Sequence, residues 1–262
     1  MTDKHCDHLH SSCPKCAPTE ESRLWAVGDI HGRDDLLKPL LDSMLIKGLF
    51  KPKSRDKIIF MGDYIDRGFY SKLVVDRLMK WEKDFPNQIV CLRGNHENFA
   101  IKVARARGFD KGKVLKLWTY PGNGGSTTIA SFGAMPDEPA FKPYLEWFES
   151  LPLSHEEPGF FFSHAPVPRE NRREQEDKGK PFTEHELTWS YSPDEPGHAR
   201  NFGDGVIGVC GHKHKLHDGV WEPRFYDHYI FTDAGCGCHP RAPLYAVEVK
   251  TRNTFHAAEE DD

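Results

Sequence analysis

Gly28-Asp29-Ile30-His31-Gly32, Gly62-Asp63-Tyr64-Ile65-Asp66-Arg67-Gly68 and Leu92-Arg93-Gly94-Asn95-His96-Glu97 decide the fold, because each segment closes a short apolar run. The runs are Leu24-Trp25-Ala26-Val27, Ile58-Ile59-Phe60-Met61 and Ile89-Val90-Cys91-Leu92. Four apolar residues stopped by a Gly-containing turn read as a buried strand. After the first run, Leu36, Leu37, Leu40, Leu41, Met44 and Leu45 fall at helical spacing, with Pro39 near enough to the helix start to cost little. After the second, Ser71 is positioned to cap a helix whose apolar face includes Val74, Leu78, Trp81 and Phe85. Asp29, Asp63 and Asn95 are therefore 34 and 32 residues apart, the length of a βαβ unit. The intervening sequences do not resemble one another, so a layered α/β sheet is expected in preference to a solenoid.

Working outward, a helix is expected around Glu138–Leu151 and a strand at Gly159–Phe162. A charged stretch then begins at Val167, and Val206-Ile207-Gly208-Val209-Cys210 leads into Gly211-His212-Lys213-His214. From Arg224 to Lys250 apolar and polar residues alternate, as strands of a second sheet would. The organisation read from this is a flexible leader over 1–22, a catalytic domain over 23–252 and a disordered acidic tail over 253–262. Residues 167–202 form either a solvated loop or a lid inserted over the active site.

The chain of 262 residues carries 35 basic and 40 acidic side chains, a formal charge of −5. That balance excludes a polybasic nucleic-acid or membrane binder whose affinity comes from bulk charge. No stretch approaches the roughly 20 apolar residues that span a bilayer, and the N-terminus lacks the apolar core of a signal peptide. Seven cysteines, odd in number and sparse, disfavour a disulfide scaffold. A cytoplasmic protein with no membrane partner is the expectation. Fifteen histidines are the unusual count, and histidine is the commonest protein metal ligand.

The polar residues where predicted strands end are Asp29, His31, Asp63, Asn95, His96, His164, His212 and His214. At the carboxyl ends of strands in an open α/β sheet, such residues converge on one crevice. Oxygen and imidazole donors without a thiolate suit Mn²⁺, Fe or Zn²⁺ in a hydrolytic centre. Seven candidate ligands, the set without His96, are too many for one tetrahedral ion and about right for two. Asp63, on the middle strand, is the natural shared carboxylate.

The three segments, in this order and spacing, resemble the signature triplet of the metal-dependent phosphoprotein phosphatases within the calcineurin-like metallophosphoesterases. The resemblance covers roughly residues 24 to 250, and the short chain is more like bacterial and bacteriophage Ser/Thr phosphatases than eukaryotic ones. It implies a four-layer αββα sandwich with two mixed β-sheets. It also implies two divalent ions, manganese first among the candidates. Asp29 and His31 would hold one ion, Asp63 would bridge, and Asn95, His164 and His212 would hold the other. The Gly-His-Lys-His segment is similar to phosphodiesterase motifs in which both histidines ligate, which gives His214 to the first ion.

The same resemblance makes His96 the proton donor to the leaving oxygen, Asp66 its orienting partner, and Arg67 and Arg93 the clamps on the phosphate. It implies hydrolysis of phosphate monoesters by in-line attack of a water activated between the ions. The substrate would be a phosphoprotein or phosphopeptide bearing phosphoserine or phosphothreonine, with small phosphate esters accepted in vitro and no nucleic acid required. A symmetrical diadenosine tetraphosphatase or an RNA-end phosphatase is the alternative, and a non-catalytic scaffold of the same fold is a remote one. The chain departs from eukaryotic members at Ser163-His164-Ala165, where they have His-Gly-Gly, and it lacks their Ser-Ala-Pro-Asn-Tyr-Cys segment.

Two clusters stay open. His5, Cys6, His8, His10, Cys13 and Cys16 are either a structural zinc site or part of an unstructured leader. Cys236, Cys238 and His239 are either a redox-sensitive patch or turn residues. Glu97 reads as a structural residue carrying the third motif into a helix.

Overall fold

β1 (Leu24–Val27), β2 (Lys57–Phe60) and β3 (Ile89–Cys91) run parallel, with Trp25 beside Ile58 and Ile58 beside Ile89. The computed structural model describes residues 22–167, 182–190, 202, 205–217 and 219–259. Successive side chains in a strand point to opposite faces. Trp25, Val27, Ile58, Phe60, Ile89 and Cys91 accordingly face a layer of helices, while Leu24, Ala26 and Ile59 face a second sheet. Both faces are dry, which is why these runs read as continuously apolar.

β11 (Leu244–Glu248) lies antiparallel against β1, and β12 (Asn253–Ala257) lies antiparallel against β11, giving the order β12-β11-β1-β2-β3. Two expectations are corrected here. Residues 253–257, expected in a disordered tail, form an edge strand with a five-residue register, anchored where Phe255 packs against the core under Lys47. The chain from Leu244 returns to the first sheet, because Val247 and Val249 are needed between the two sheets.

The second sheet has the order β4-β5-β6-β10-β9, from β4 (Ser154–Glu157), β5 (Phe160–Ser163), β6 (Ile207–Cys210), β9 (Arg224–Phe225) and β10 (Tyr229–Phe231). β7 (Leu216–His217) and β8 (Val220–Trp221) form a small hairpin. Phe162, Val209 and Ile230 pack onto Leu24, Ile59 and Val247 to make the apolar slab between the sheets.

The helical layer holds α1 (Asp34–Ile46), α2 (Ser71–Asp84), α3 (Asn95–Arg105), α4 (Gly108–Trp118), α5 (Gly125–Phe132) and α6 (Lys142–Ser150), the last preceded by a 3₁₀ turn at Pro139–Phe141. Outside the second sheet, α7 (Glu184–Thr188) covers Phe161 and Val167 through Leu187. Helices, two mixed five-stranded sheets and this outer element are the α/β sandwich expected. Pro39 falls past the first turn of α1, so that helix forgoes a backbone hydrogen bond that the sequence reading had spared it. Among the described residues no helix is long and apolar enough to cross a membrane. The leader cluster over 1–21 and most of the candidate lid, 168–181 and 191–201, lie outside the described residues.

Candidate active site

The second motif leaves β2 through a backbone that few residues adopt. Asp63, Asp66 and Arg67 all have positive φ, at 54°, 75° and 67°, as do His31 at 45° and His212 at 62°. For non-glycine residues such conformations persist only where the surroundings hold them. Here Glu97, the third residue of α3, accepts from the N–H groups of Asp63 (3.0 Å), Tyr64 (2.8 Å) and Gly94 (2.9 Å). The Asp63 carbonyl accepts in turn from Ile30 N (3.1 Å) and His31 N (2.8 Å), which ties the first motif to the second. Gly94 has no substitute, since a Cβ there would stand 2.2 Å from Asp63 Oδ1. Ser71 does not cap α2: Tyr70 is the N-cap, and Ser71 Oγ accepts from Asp66 N at 3.1 Å beside Thr128 Oγ1 at 2.8 Å.

These constraints aim Asp63 Oδ2 into a ring of imidazoles. His164, His31 and His96 present Nε2 atoms at 3.4, 3.6 and 3.8 Å from it. The opposite ring nitrogens are pinned: His31 Nδ1 donates to Ile65 O (3.0 Å), His164 Nδ1 to Met61 O (2.8 Å) and His96 Nδ1 to Asp66 Oδ2 (2.6 Å). Such partners fix tautomer and ring orientation, leaving Nε2 for the centre. Asn95 Oδ1 lies 2.9 Å from His164 Nε2, and both Asp29 oxygens accept from His212 N at 3.1 Å. Gly211 makes that approach feasible, because a Cβ would stand 2.2 Å from Asp29 Oδ1. Two groups of converging ligand atoms result, His31–Asp63–His96 and Asp63–His164–His212, with Asp63 common to both.

The electrostatics are those of a buried anionic site. Asp29, His31, Asp63, Asn95, His96 and His164 are each 3% exposed or less. Burial, and then the neighbouring Asp233, push the Asp29 carboxyl up, while burial and the Arg67 guanidinium push His31 down. Burial opposes ionisation of Asp63, but His164 and His96 outweigh it and hold this carboxyl well below its usual range. His164 is pushed up to about 10, its desolvation outweighed by Asp63 and Asp29. Asp233 Oδ1 accepts from Gly235 N at 2.7 Å, and its buried Oδ2 has no partner among the described residues. A buried carboxylate oxygen left without a hydrogen bond is costly. Carboxylates, imidazoles and one amide, with an acceptor oxygen to spare, fit hard or borderline divalent cations.

The remaining candidates lie around this centre. Arg67 Nη1 donates to His31 Nε2 and approaches Cys238 Sγ (2.7 Å), so a guanidinium already sits against the first group. Arg93 donates its backbone N–H to Pro152 O, and its buried side-chain Nε has no hydrogen-bond partner among the described residues. His214 stands outside both groups, its Nδ1 facing His239 Nε2 at 3.2 Å, with His239 stacked 3.9 Å from Trp221. Burial pushes the Cys236 and Cys238 thiols up, opposite to the shift a redox-sensitive thiolate needs.

Sequence reading missed Trp118 and Thr128, whose Nε1 and Oγ1 hold Asp66 at 2.7 and 2.5 Å. No motif marks either one. Asp233 was within reach, because Thr232-Asp233-Ala234-Gly235 also follows a strand.

Residues 22–216 match the calcineurin-like phosphoesterases, and the chain belongs to that family. It is 45% identical over 86 residues to the serine/threonine-protein phosphatase 6 catalytic subunit of Caenorhabditis elegans, 31% of this chain and 22% of the relative. It is 33% identical over 110 residues to the serine/threonine-protein phosphatase SIT4 of Candida albicans, 42% of this chain and 31% of the relative. The matched segment thus spans less than a third of either relative. Among solved structures, a provisionally assigned diadenosine tetraphosphatase superposes with a TM-score of 0.56 at 18% identity, covering 94% of this chain and 97% of that one. At that identity the likeness concerns the fold alone.

Proposed function

We propose that the chain is a two-metal phosphomonoesterase acting on phosphoserine or phosphothreonine in proteins. The observation that supports this reading is Asp63, common to two groups of possible ligand atoms, with its Oδ2 faced by the Nε2 atoms of His31 and His164, read as ligands to different ions, and of His96, read as the acid. Asp29, His31 and Asp63 would hold one ion, with His214 contributing Nε2 as its remaining ligand atom. Asp63, Asn95, His164 and His212 would hold the other, and manganese suits this oxygen and imidazole mixture. When bound, such ions polarise a phosphoryl oxygen and make a coordinated water acidic near neutral pH.

The chain's own residues do the rest. His96 donates its Nε2 proton to the departing serine or threonine oxygen, and Asp66, itself held by Trp118 and Thr128, stabilises the imidazolium through Nδ1. Arg67 and Arg93 bind the non-bridging oxygens, and two guanidinium groups suit the dianionic end of a monoester.

Phosphatase-named relatives in Caenorhabditis elegans and Candida albicans support the protein substrate. A second reading, hydrolysis of a dinucleoside polyphosphate, is favoured by the stacked Trp221 and His239 beside His214, a face on which a base could stack. Purified protein with Mn²⁺, assayed on phosphopeptides and on diadenosine tetraphosphate, decides. Faster turnover of phosphopeptides is expected, and faster turnover of the dinucleotide overturns the protein substrate. No bound ions and no hydrolysis of an aryl phosphate would leave a scaffold.

A further inference from the structure

Residues 102–116 carry six basic side chains and one acidic, Asp110, in a chain whose net charge is −5. Three of the six are engaged: Arg105 pairs with Glu149, Lys111 pairs with Asp137, and Arg107 donates to carbonyls at the end of α3. The two lysines on the outer face of α4, Lys113 and Lys116, have no acidic partner among the described residues. They are interleaved with Phe109 (78% exposed), Leu117 (56%) and Tyr120 (64%). Phe109, Lys113 and Leu117 follow one another at intervals of four residues, so they form one stripe along the helix, and the exposed Tyr120 follows just past its end. Lys113 Nζ stands 4.2 Å from the centroid of the Phe109 ring.

The helix that carries this stripe ends beside the candidate site. On its buried side Trp118 Nε1 donates to Asp66, the partner of His96. A Cβ on Gly122 would lie 3.3 Å from the Tyr120 ring, and the Gly122 carbonyl accepts from Arg67 Nε at 3.4 Å. Arg67 N donates to Gly124 O at 3.3 Å, so the turn after α4 wraps the phosphate-clamping arginine. An exposed apolar and basic surface continuous with the phosphate site has the character of a substrate surface.

We infer that the outer face of α4 is a docking surface for the substrate polypeptide on one side of its phosphorylated residue, selecting a segment that mixes acidic with apolar side chains. The inference rests on the protein-phosphatase reading above. Acidic residues would meet Lys113 and Lys116, and apolar ones would lie across Phe109 and Leu117. α4 is about 16 Å long at about 1.5 Å per residue. An extended peptide advances about 3.3 Å per residue, so the selected positions lie within about five residues of the phosphoresidue.

The test compares kcat/KM of the Mn²⁺-loaded full chain on p-nitrophenyl phosphate and on a phosphothreonine peptide set. The set carries Asp, Glu and Leu on the N-terminal side, the same residues on the C-terminal side, or alanine and lysine on both. One acidic arrangement is expected to exceed the alanine and lysine peptide by about tenfold, with a preference that falls as salt rises. The Lys113→Glu/Lys116→Glu variant is expected to lose that preference while p-nitrophenyl phosphate turnover stays unchanged. Equal kcat/KM on all peptides, or a preference that survives in the variant, overturns the docking surface alone. Turnover of p-nitrophenyl phosphate without turnover of any phosphopeptide overturns the protein-phosphatase reading and the docking surface with it.

Discussion

The two halves of the site are built differently. On the side of β1, β2 and β3, most functional groups have a second bond within the protein: His96 to Asp66, Asp66 to Trp118 and Thr128, and Asp63 through its backbone to Glu97. On the side of β5, β6 and β10, polar atoms are left over. Among the described residues Asp233 Oδ2 has no hydrogen-bond partner, and His214 Nδ1 faces another histidine. One half is preorganised by the chain, whereas the other is completed by what binds there. Catalytic geometry needs the first kind of support, and cation affinity can be built with the second.

The largest expected effect falls on the residue common to both halves. Asp63→Asn should lower kcat/KM by about 10³-fold or more and weaken binding of both ions, read by calorimetry, since each developing charge depends on them. If one ion bound normally, the two halves would not share this carboxylate. His96→Asn should cut kcat by about 10²–10⁴-fold, the scale of a lost general acid, with metal content unchanged by elemental analysis. Metal loss equal to that of Asp63→Asn would make His96 a ligand and break the division of roles.

Glu97→Ala tests the preorganised half by stability. It strands three N–H groups, each costing about 1–3 kcal/mol when left unmade, so urea unfolding of the metal-free protein should show a loss of at least about 3 kcal/mol. Asp233→Asn should behave oppositely. Removing a buried carboxylate oxygen that has no hydrogen-bond partner among the described residues should leave metal-free stability unchanged or higher, while affinity for metal falls about tenfold. Equal destabilisation by the two substitutions would erase the contrast between the halves.

Most of the preorganised half was legible because its residues sit in three motifs at βαβ spacing, each behind a short apolar run that reads as a buried strand. His164 and His212 were legible by the same strand-end rule. Glu97 was read as structural, but its three backbone partners belong to two loops, after β2 and after β3, whose conformation no period encodes. Trp118 and Thr128 lie on α4 and α5, which were missed. α4 spends much of its surface on lysines and exposed apolar residues, and α5 opens with Gly124 and Gly125. β12 was misread because its exposed residues offer little apolar pattern, and its place is set by the β11 register and Phe255.

The central claim is one carboxylate serving two cations. The most direct test is the number of Mn²⁺ ions bound per chain, measured by equilibrium dialysis with elemental analysis on wild type and on His212→Ala. Two ions in wild type and one in the variant are predicted, because the His31 and Asp63 side of the site is held by the protein itself. A single ion in wild type, or the loss of both in His212→Ala, would contradict it.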